Sequence, residues 1–289
     1  MNFQFCYNAS EDTFPLPRHI KAFYGPFGFP RPPADRPYIT SNFVMSLDGR
    51  ASFRELPGHT GGHEVSRSRE DRWLMDFLRA HHDAQLMGAS TLREEPGRDA
   101  RKWDFAIADE ELGSYRRETL KLRQQTVIIL TASGNVDVSL PVFNSPRVEA
   151  WLLTSAVGEK NLKSRLKAIG REGTTKIISV GKGKWLNLAA AVKLLRQQNS
   201  IRTLLCEGGP TVYGELLRKH LIDEDFRTLA LQVLGHSTVP TIDRPTSYGG
   251  VSYRPETAPW FKLISLHYSL PYHLFLRLRY HGPRTFPRR

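Results

Sequence analysis

The stretch Cys206-Glu207-Gly208-Gly209-Pro210-Thr211 decides the predicted fold, because it joins an apolar run to a helical pattern through two glycines and a proline. Residues 201–205 are typical of a buried strand, and Val212, Leu216 and Leu217 recur at helical spacing. Glycine lets the backbone approach a ligand closely, proline suits the first helical position, and the unpaired amides of that turn attract anions. The stretch therefore predicts a phosphate-binding turn between a strand and a helix, although such turns also occur as simple tight connections.

The rest of the chain alternates between strand-like and helix-like stretches, which predicts an α/β sheet with crossover helices. Short apolar runs followed by glycine, serine or threonine are typical of buried parallel strands, and they predict strands at 38–45, 84–87, 126–130, 151–154 and 176–180. Three further runs are predicted to close the sheet, at 226–231, 261–269 and 274–280. A capping signal and an apolar stripe predict a helix that begins near Ser68 and buries Trp73, Leu74, Phe77 and Leu78.

The composition divides the chain into three parts. Residues 1–36 are rich in proline and aromatic residues without a sustained period, so they are predicted to form an extended arm wrapped on the body. Residues 37–282 are predicted to form the main domain, and residues 283–289 a frayed basic tail. The highly charged segment 93–118 is predicted to be a mobile loop with a short helix.

The chain is strongly basic, with 41 Lys and Arg against 29 Asp and Glu and a net charge of +12. This charge suits an anionic ligand, either nucleotide phosphates or nucleic acid, and solvated surface charge is an equally good explanation. No block of five like charges occurs, and aromatic residues do not interleave with the basic ones. The pattern therefore argues against nucleic acid as the partner.

The cysteine and histidine pattern predicts neither a disulfide framework nor a metal site. Cys6 and Cys206 lie far apart, and Arg67 stands where a zinc-binding helix starting at His63 would need its second histidine. Residues 1–10 lack the basic start and apolar core of a signal peptide, and no run of about eighteen apolar residues occurs. We therefore expect a cytoplasmic protein without a membrane span.

Polar and glycine residues follow several of the predicted strands, at 46–49, 88–91, 131–133, 181 and 207–211. If the strands are parallel neighbours, their carboxyl ends share one edge of the sheet, and these residues line a single crevice. Each position alone is also explained by ordinary turn chemistry. Their recurrence after successive strands favours a common ligand.

The order and spacing of several stretches resemble the reductase domain of riboflavin biosynthesis, a relative of dihydrofolate reductase. The resemblance covers roughly residues 36–280 and rests on Ser46-Leu47-Asp48-Gly49-Arg50, Leu78-Arg79-Ala80, Asp83-Ala84, Gly88-Ala89-Ser90-Thr91, Glu207-Gly208-Gly209, Leu221-Ile222-Asp223-Glu224 and Leu234-Gly235. It implies a dihydrofolate-reductase-like α/β fold with a mostly parallel central sheet, flanking helices and an antiparallel C-terminal edge. It also implies a homodimer that uses NADPH.

By position, the resemblance assigns a set of residues to the cofactor. Gly88, Ser90 and Thr91 match the loop and helix start that meet the cofactor phosphates, and Thr131 and Ser133 match the strand end beside the adenosine. The remaining members by resemblance are Met45, which would face the nicotinamide through its backbone, and the diphosphate turn of Gly208, Gly209, Pro210, Thr211 and Val212. Gly181 joins the cofactor candidates because it follows a predicted strand at the same edge of the sheet.

On the substrate side, the matching positions are Asn42, Asp48, Arg79, Glu95 and Glu207, of which the three carboxylates are the catalytic candidates. An arginine suits a sugar phosphate because its planar fork bonds two oxygens at once, and a carboxylate can stabilise an iminium-like species or relay a proton. The sequence departs from the family twice. Asn42 stands where biosynthetic members carry lysine, and the Glu94-Glu95-Pro96 loop stands where an aspartate is usual, one residue short.

The resemblance implies an NADPH-dependent oxidoreductase similar to 5-amino-6-(5-phosphoribosylamino)uracil reductase, which reduces a ribosyl to a ribityl group by hydride transfer. The expected partner is a small phosphorylated molecule. No His-x-Glu segment is paired with a later Pro-Cys-x-x-Cys, so no zinc deaminase domain is predicted. Two alternatives stay open: a reductase of another pterin-like or heterocyclic substrate, and a non-catalytic nucleotide-binding or nucleic-acid-binding module.

Overall fold

The computed structural model describes residues 3–54, 61–94, 104–237 and 244–283. The chain divides into two compact units. The first unit comprises Met1–Arg31, Ile39–Met75 and Pro210–Arg289, and the second comprises Pro32–Tyr38 and Asp76–Gly209.

The described residues form strands and helices in alternation along most of the chain. The strands are β1 (Gln4–Asn8), β2 (Tyr38–Ser46), β3 (Ala84–Gly88), β4 (Gln125–Thr131), β5 (Val148–Thr154), β6 (Lys176–Ser179), β7 (Thr203–Cys206), β8 (Glu224–Ala230), β9 (Pro259–Ser269) and β10 (His273–Pro283). The α-helices are α1 (Arg18–Tyr24), α2 (Gly62–Ser66), α3 (Arg69–His81), α4 (Ala89–Glu94), α5 (Glu110–Ser114), α6 (Ala156–Ala168), α7 (Leu188–Asn199) and α8 (Pro210–Arg218). A π-helical turn at Tyr115–Thr119 follows α5, and a 3₁₀ turn spans Pro141–Phe143.

The sheet of the second unit is parallel throughout, in the strand order β7, β3, β4, β5, β6. Met87, Ile129 and Leu152 stand opposite one another on three neighbouring strands, and all three are buried. Continuous apolar strands of this kind form when helices cover both faces of a sheet. Because the five strands run the same way, their carboxyl ends lie at one edge, as the sequence predicts for this part of the chain.

The sheet of the first unit has the strand order β1, β9, β10, β8, β2, in which only the β8–β2 pair is parallel. Residues 1–36, predicted as an extended arm, contribute β1 and α1, and β1 pairs with β9. Phe3, Tyr24 and Phe27 of this segment are buried among the core residues. The segment is therefore more regular than its sequence indicates, while the division of the chain into arm, main domain and tail stays a prediction.

A buried arginine fixes the N-terminal segment to β10. Arg277 donates from Nε to Glu224 Oε2 (2.7 Å), from Nη1 to Ser10 Oγ (3.0 Å) and from Nη2 to the Gly28 carbonyl (2.6 Å). A buried charge is costly unless it is paired and hydrogen-bonded, and here each group of the guanidinium has a partner. The pairing makes residues 10–28 part of the packed first unit.

The predicted fold class is confirmed. Parallel strand pairs predominate, and among the described strands the antiparallel pairs involve β1, β8, β9 and β10. The local prediction for α3 also holds: Ser68 Oγ accepts a hydrogen bond from the Asp71 N–H (3.2 Å), and the apolar stripe of this helix is buried. Within the segment 93–118, the described part contains α5, which begins after Asp109.

Candidate active site

A buried ion pair lies at the carboxyl end of β7. Glu207 follows that strand, and its N–H donates to the Leu86 carbonyl of the neighbouring β3 (2.9 Å). Arg79, from the last turn of α3, donates through Nε to Glu207 Oε1 (3.0 Å) and through Nη2 to Oε2 (2.8 Å). The two side chains are only 6% and 9% exposed. The fork of Arg79, predicted to bind a sugar phosphate, is thus engaged by a carboxylate of the same unit.

Burial controls the protonation of the carboxyl groups on either side of Arg79. It raises the pKa of Glu207, and the positive charge of Arg79 opposes that rise without cancelling it. Burial also raises the pKa of Asp76, whose Oδ1 lies 3.7 Å from Arg79 Nη1 and whose Oδ2 accepts from the N–H groups of Ala108 and Asp109. Burial outweighs the attraction of the one guanidinium that the two carboxyl groups share, so each holds a proton more readily than a surface carboxyl does.

The glycine turn after Glu207 lies against the start of α4. A Cβ added at Gly209 would be 3.8 Å from Thr91 Oγ1 and 3.9 Å from Ser90 Oγ, so two hydroxyl groups face this glycine. Gly88, which the sequence groups with Ser90 and Thr91, is the last residue of β3 and is buried. Gly208 is buried as well. Hydroxyl donors beside an uncrowded glycine suit the phosphates of a dinucleotide. The structure therefore brings together two turns that are 118 residues apart (209 − 91).

The residues predicted beside the adenosine lie at the end of β4. Thr131 is the last residue of that strand, and Ser133 lies in the exposed loop that follows. Asn161 Nδ2 of α6 donates to the Ser133 carbonyl (2.8 Å). Gly158 allows the helix to approach, because a Cβ there would lie 2.6 Å from the Ala132 carbonyl oxygen. The loop is thus held on the first turns of α6.

Gly181 follows β6 at the same edge of the sheet. Its φ of +101° favours glycine, and a Cβ there would lie 2.5 Å from the Trp185 carbonyl oxygen. The N–H of Val180 donates to the Thr154 carbonyl at the end of β5 (2.9 Å). Gly181 and the predicted adenosine contacts therefore share one edge of the second unit.

Asp48 has a different environment, in the turn after β2 of the first unit. Its Oδ1 accepts from Ser46 Oγ (2.6 Å) and the Leu234 N–H (3.0 Å), and its Oδ2 accepts from the Gly235 N–H (2.7 Å). Partial burial works to raise the pKa of Asp48, but these hydrogen bonds outweigh it and hold the pKa at about 2. Asp48 is an ionised anchor that ties two loops together.

Asn42 and Met45 lie on β2, also in the first unit, and both are half-buried. The Asn42 Oδ1 atom is buried and has no hydrogen-bond partner among the described residues. An amide oxygen in that state is available to a ligand that donates an N–H or O–H. Asn42 is the residue that stands where biosynthetic members of the family usually carry lysine.

The three remaining cofactor candidates begin α8 in the first unit. Pro210 is the first residue of the helix, Thr211 is exposed and Val212 is buried. The Pro210 carbonyl accepts from the Gly249 N–H (3.0 Å), which holds residues 245–250 near the helix start. The predicted strand, turn and helix around residue 209 are all present.

A buried network beside Met45 was missed in the sequence. Arg227 of β8 donates from Nε to Asp225 Oδ2 (3.0 Å), and its Nη1 lies 3.1 Å from Met45 Sδ. The rings of Tyr213 and Tyr248 lie 5.8 and 4.8 Å from the guanidinium carbon. Two opposite charges spaced two residues apart on one strand share a face, and this spacing is the signal that could have revealed the pair.

Glu95, the third catalytic candidate, lies outside the described residues. In the parts of the chain that the structure describes, no group of three His, Cys, Asp or Glu side chains is placed to hold a metal ion. The same parts contain no helix with the length and hydropathy needed to cross a bilayer.

A parallel α/β sheet with glycine and hydroxyl turns at its carboxyl edge defines the class of open-sheet proteins that place ligands at strand ends. Within that class, the sequence profile of the RibD C-terminal domain matches residues 37–247. The chain belongs to the RibD C-terminal domain family, and the resemblance seen in the sequence is confirmed.

Two relatives are named 2,5-diamino-6-ribosylamino-4(3H)-pyrimidinone 5′-phosphate reductase. The Archaeoglobus fulgidus protein is 23% identical over 195 residues, which cover 65% of this chain and 78% of the relative. The Aquifex aeolicus protein is 25% identical over 213 residues, which cover 72% of this chain and 83% of the relative. The predicted reductase function agrees with these names.

Solved structures share the fold. A pyrimidine reductase-like protein of Corynebacterium diphtheriae has a TM-score of 0.63 and 19% identity, with 86% of this chain and 93% of that chain covered. RibD of Acinetobacter baumannii has a TM-score of 0.59 and 19% identity, over 86% of this chain. The match covers 59% of that RibD, so the chain spans less than two thirds of the length of that protein.

Proposed function

We propose that the protein is an NADPH-dependent reductase of a phosphoribosylamino-pyrimidine in riboflavin biosynthesis, which reduces the ribosyl group to ribityl. The observation that carries the proposal is the buried Arg79–Glu207 pair, in which Glu207 directly precedes the glycine turn that faces Ser90 and Thr91. A buried carboxyl whose pKa is raised, beside a phosphate-type turn, suits reduction by a bound dinucleotide. The names of the relatives support the substrate class.

The reaction needs one hydride and one proton. NADPH, when bound, supplies the hydride, which adds to C1′ of the ribosyl group. The bond between C1′ and the sugar ring oxygen breaks, and that oxygen takes a proton to become a hydroxyl of the ribityl group. The protein must therefore position the sugar and hold one proton near it.

We assign the proton to Glu207. Burial raises its pKa, so it keeps a proton at higher pH than a surface glutamate, and Arg79 fixes its orientation. Asp48, with a pKa of about 2, stays ionised and serves to anchor the turn after β2. Glu95 remains a predicted member of the site by its position in the sequence.

The cofactor contacts in this proposal are those of the sequence prediction. In the second unit, the hydroxyls of Ser90 and Thr91 and the turn at Gly209 would receive the diphosphate, and Thr131 and Ser133 the adenosine side. In the first unit, Met45 would face the nicotinamide, and Pro210, Thr211 and Val212 would continue the turn. We further propose that the protein forms a homodimer and is located in the cytoplasm.

One observation favours a second candidate, a reductase of a different heterocycle on the same fold. Asn42 replaces the lysine that is usual in biosynthetic members, and its buried Oδ1 lacks a partner among the described residues. The Asn42 Oδ1 atom is an acceptor, so it favours a substrate with an N–H or O–H donor at this place. A lysine there is a donor and would require an acceptor on the substrate.

The test begins with melting curves of the protein in NADPH and in NADH. A cofactor at a hundredfold excess over its dissociation constant stabilises the folded state by about 2.7 kcal/mol. Loss of nicotinamide absorbance with phosphoribosylamino-pyrimidines, with and without the 2-amino group, then decides the substrate. No melting shift with either dinucleotide would overturn the proposal. Binding of NADPH without turnover of either pyrimidine would favour the second candidate.

The Gly209→Val variant tests the turn. Its Cβ would make only ordinary contacts with Ser90 and Thr91, so the fold should tolerate it, while the methyl groups fill the space before the hydroxyls. We expect NADPH to bind at least about tenfold more weakly, a change of about 1.4 kcal/mol. Unchanged affinity by calorimetry would contradict the assignment of this turn.

A further inference from the structure

The loop after β6 has an unusual surface. It reads Gly181-Lys182-Gly183-Lys184-Trp185-Leu186-Asn187, contains two lysines and no acidic residue, and exposes the Trp185 side chain to 74%. Lys184 Nζ lies 5.2 Å from the centre of the Trp185 ring. A large aromatic side chain left this open has a flat face available for stacking.

The loop is held in place by its own backbone and by α6. The φ angles of Gly181 (+101°) and Gly183 (+64°) lie in the region that favours glycine, so the chain turns sharply twice. The Gly183 carbonyl accepts from the N–H of Val157 in the first turn of α6 (3.0 Å). Val157 is itself 41% exposed, so a second apolar side chain stands beside the loop.

The same helix start holds the loop after β4. Asn161 donates to the Ser133 carbonyl, and Gly158 lies close to Ala132. Two loops of the second unit therefore converge on the first two turns of α6, one with the predicted adenosine contacts and one with the tryptophan and the lysines. They share the edge of the sheet where Thr131 ends β4.

The local charge is positive. Lys182 and Lys184 are exposed, and Glu159, the acidic residue in the first turn of α6, is paired with Lys163 at 2.7 Å. That pairing leaves little negative charge to repel a phosphate. Ammonium groups next to an aromatic face offer contacts for a planar base that carries a phosphate on its sugar.

We propose that the loop 181–187 binds the adenosine 2′-phosphate end of the cofactor and sets a preference for NADPH over NADH. Trp185 and Val157 present apolar surface to the adenine, and Lys182 and Lys184 pair with the 2′-phosphate. This inference rests on the proposed function, because it concerns the cofactor of that reductase.

The test measures dissociation constants by calorimetry for NADPH, NADH, 2′,5′-ADP and 5′-AMP, without substrate. We expect the double variant K182M/K184M to bind NADPH and 2′,5′-ADP more weakly than wild type by about tenfold or more. Its dissociation constant for NADH should stay within about twofold of wild type, because charge-assisted contacts are lost only where the 2′-phosphate is present. We expect Trp185→Ala to weaken all four ligands about fivefold or more, because each carries adenine, and Trp185→Phe to restore part of that loss.

Lys167→Met is the matched control, since this exposed lysine lies in the last turn of the same helix. It should change no constant. Melting curves check that the variants fold, and the exposure of Trp185 makes its loss mild for stability. Equal weakening of NADPH and NADH by the double lysine variant, or no weakening of either, would overturn the inference. Wild-type protein that binds neither dinucleotide would instead overturn the proposed function, so the two failures are distinguishable.

Discussion

Asp48 and Glu207 carry the same chemical group in two contrasting settings. Asp48, in the first unit, accepts hydrogen bonds from two backbone amides and a hydroxyl, and its pKa falls to about 2. Glu207, in the second unit, is buried against one arginine, and its pKa rises. Both are catalytic candidates from the sequence, and their surroundings shift their pKa values in opposite directions.

The contrast shows that the balance of burial and hydrogen bonding decides what a carboxylate does. Several fixed donors stabilise the charged form at Asp48, whereas at Glu207 the loss of water outweighs the attraction of the guanidinium. Only a group whose pKa lies near the working pH can give and take a proton. Burial shifts the pKa of Glu207 upward, whereas the hydrogen bonds of Asp48 hold its pKa at about 2.

Replacing the arginine of the buried pair should have the largest effect. Arg79→Met leaves Glu207 and Asp76 buried without their shared cation, so we expect the free energy of unfolding to fall by about 3–5 kcal/mol. Urea denaturation followed by circular dichroism measures this loss. Arg165→Met, an exposed arginine on α6, is the control and should stay within about 0.5 kcal/mol. A similar small loss for Arg79→Met would show that the pair is not structurally important.

Removing the proton of Glu207 should act on turnover. Glu207→Gln keeps the shape and one acceptor for Arg79, and we expect kcat to fall about a hundredfold or more because proton transfer is lost. The dissociation constant of NADPH should change little. Steady-state kinetics and calorimetry measure the two quantities, and Glu172→Gln, at an exposed site, serves as the control. A variant with normal kcat would remove Glu207 from the proton step.

Replacing Asp48 should cost less. In Asp48→Asn, the amide group cannot accept all three hydrogen bonds from Ser46, Leu234 and Gly235, so we expect a loss of about 1–2 kcal/mol in unfolding free energy. The pH profile of kcat should keep its shape, since an anchor does not titrate in the working range. A shift of that profile in Asp48→Asn would mean that Asp48 takes part in proton transfer.

The pH dependence of stability should have opposite signs at the two residues. The folded pKa of Asp48 lies below its usual 3.8, so its contribution is complete above that value and is lost as the pH falls towards about 2. The folded pKa of Glu207 is raised, so its contribution is present at low pH and is lost as the pH rises through that pKa. Melting temperatures of wild type, Asp48→Asn and Glu207→Gln across pH would show both trends. If both residues changed the melting temperature with pH in the same direction, the opposite pKa shifts of Asp48 and Glu207 would be contradicted.

Much of the fold could be predicted because its signals are local. The apolar runs of β3, β4 and β5, the capping serine of α3 and the glycine turn at 208–209 are each visible within about ten residues. Parallel strands also impose a common edge, so the meeting of Thr91 and Gly209 followed from topology.

The rest could not be predicted because it depends on pairs that are distant in sequence. Arg79 meets Glu207 across 128 residues, and Asp48 meets Gly235 across 187. The sequence near Asp48 does not indicate that two backbone N–H groups will donate hydrogen bonds to its carboxylate. The sequence near Arg79 likewise does not indicate that its guanidinium is paired with Glu207. β1 likewise reads as irregular until β9 supplies its hydrogen-bond partner.

The strands of the two units come from different parts of the chain, so the two sheets can form at different stages of synthesis. All five strands of the parallel sheet lie between residues 84 and 206, so that sheet can form while the ribosome is still adding later residues. The other sheet joins residues 4–8 to residues 259–283, and Arg277 reaches back to Ser10 and Gly28. Because domains fold as their segments emerge, the N-terminal aromatic residues must wait for nearly the whole chain before they are covered.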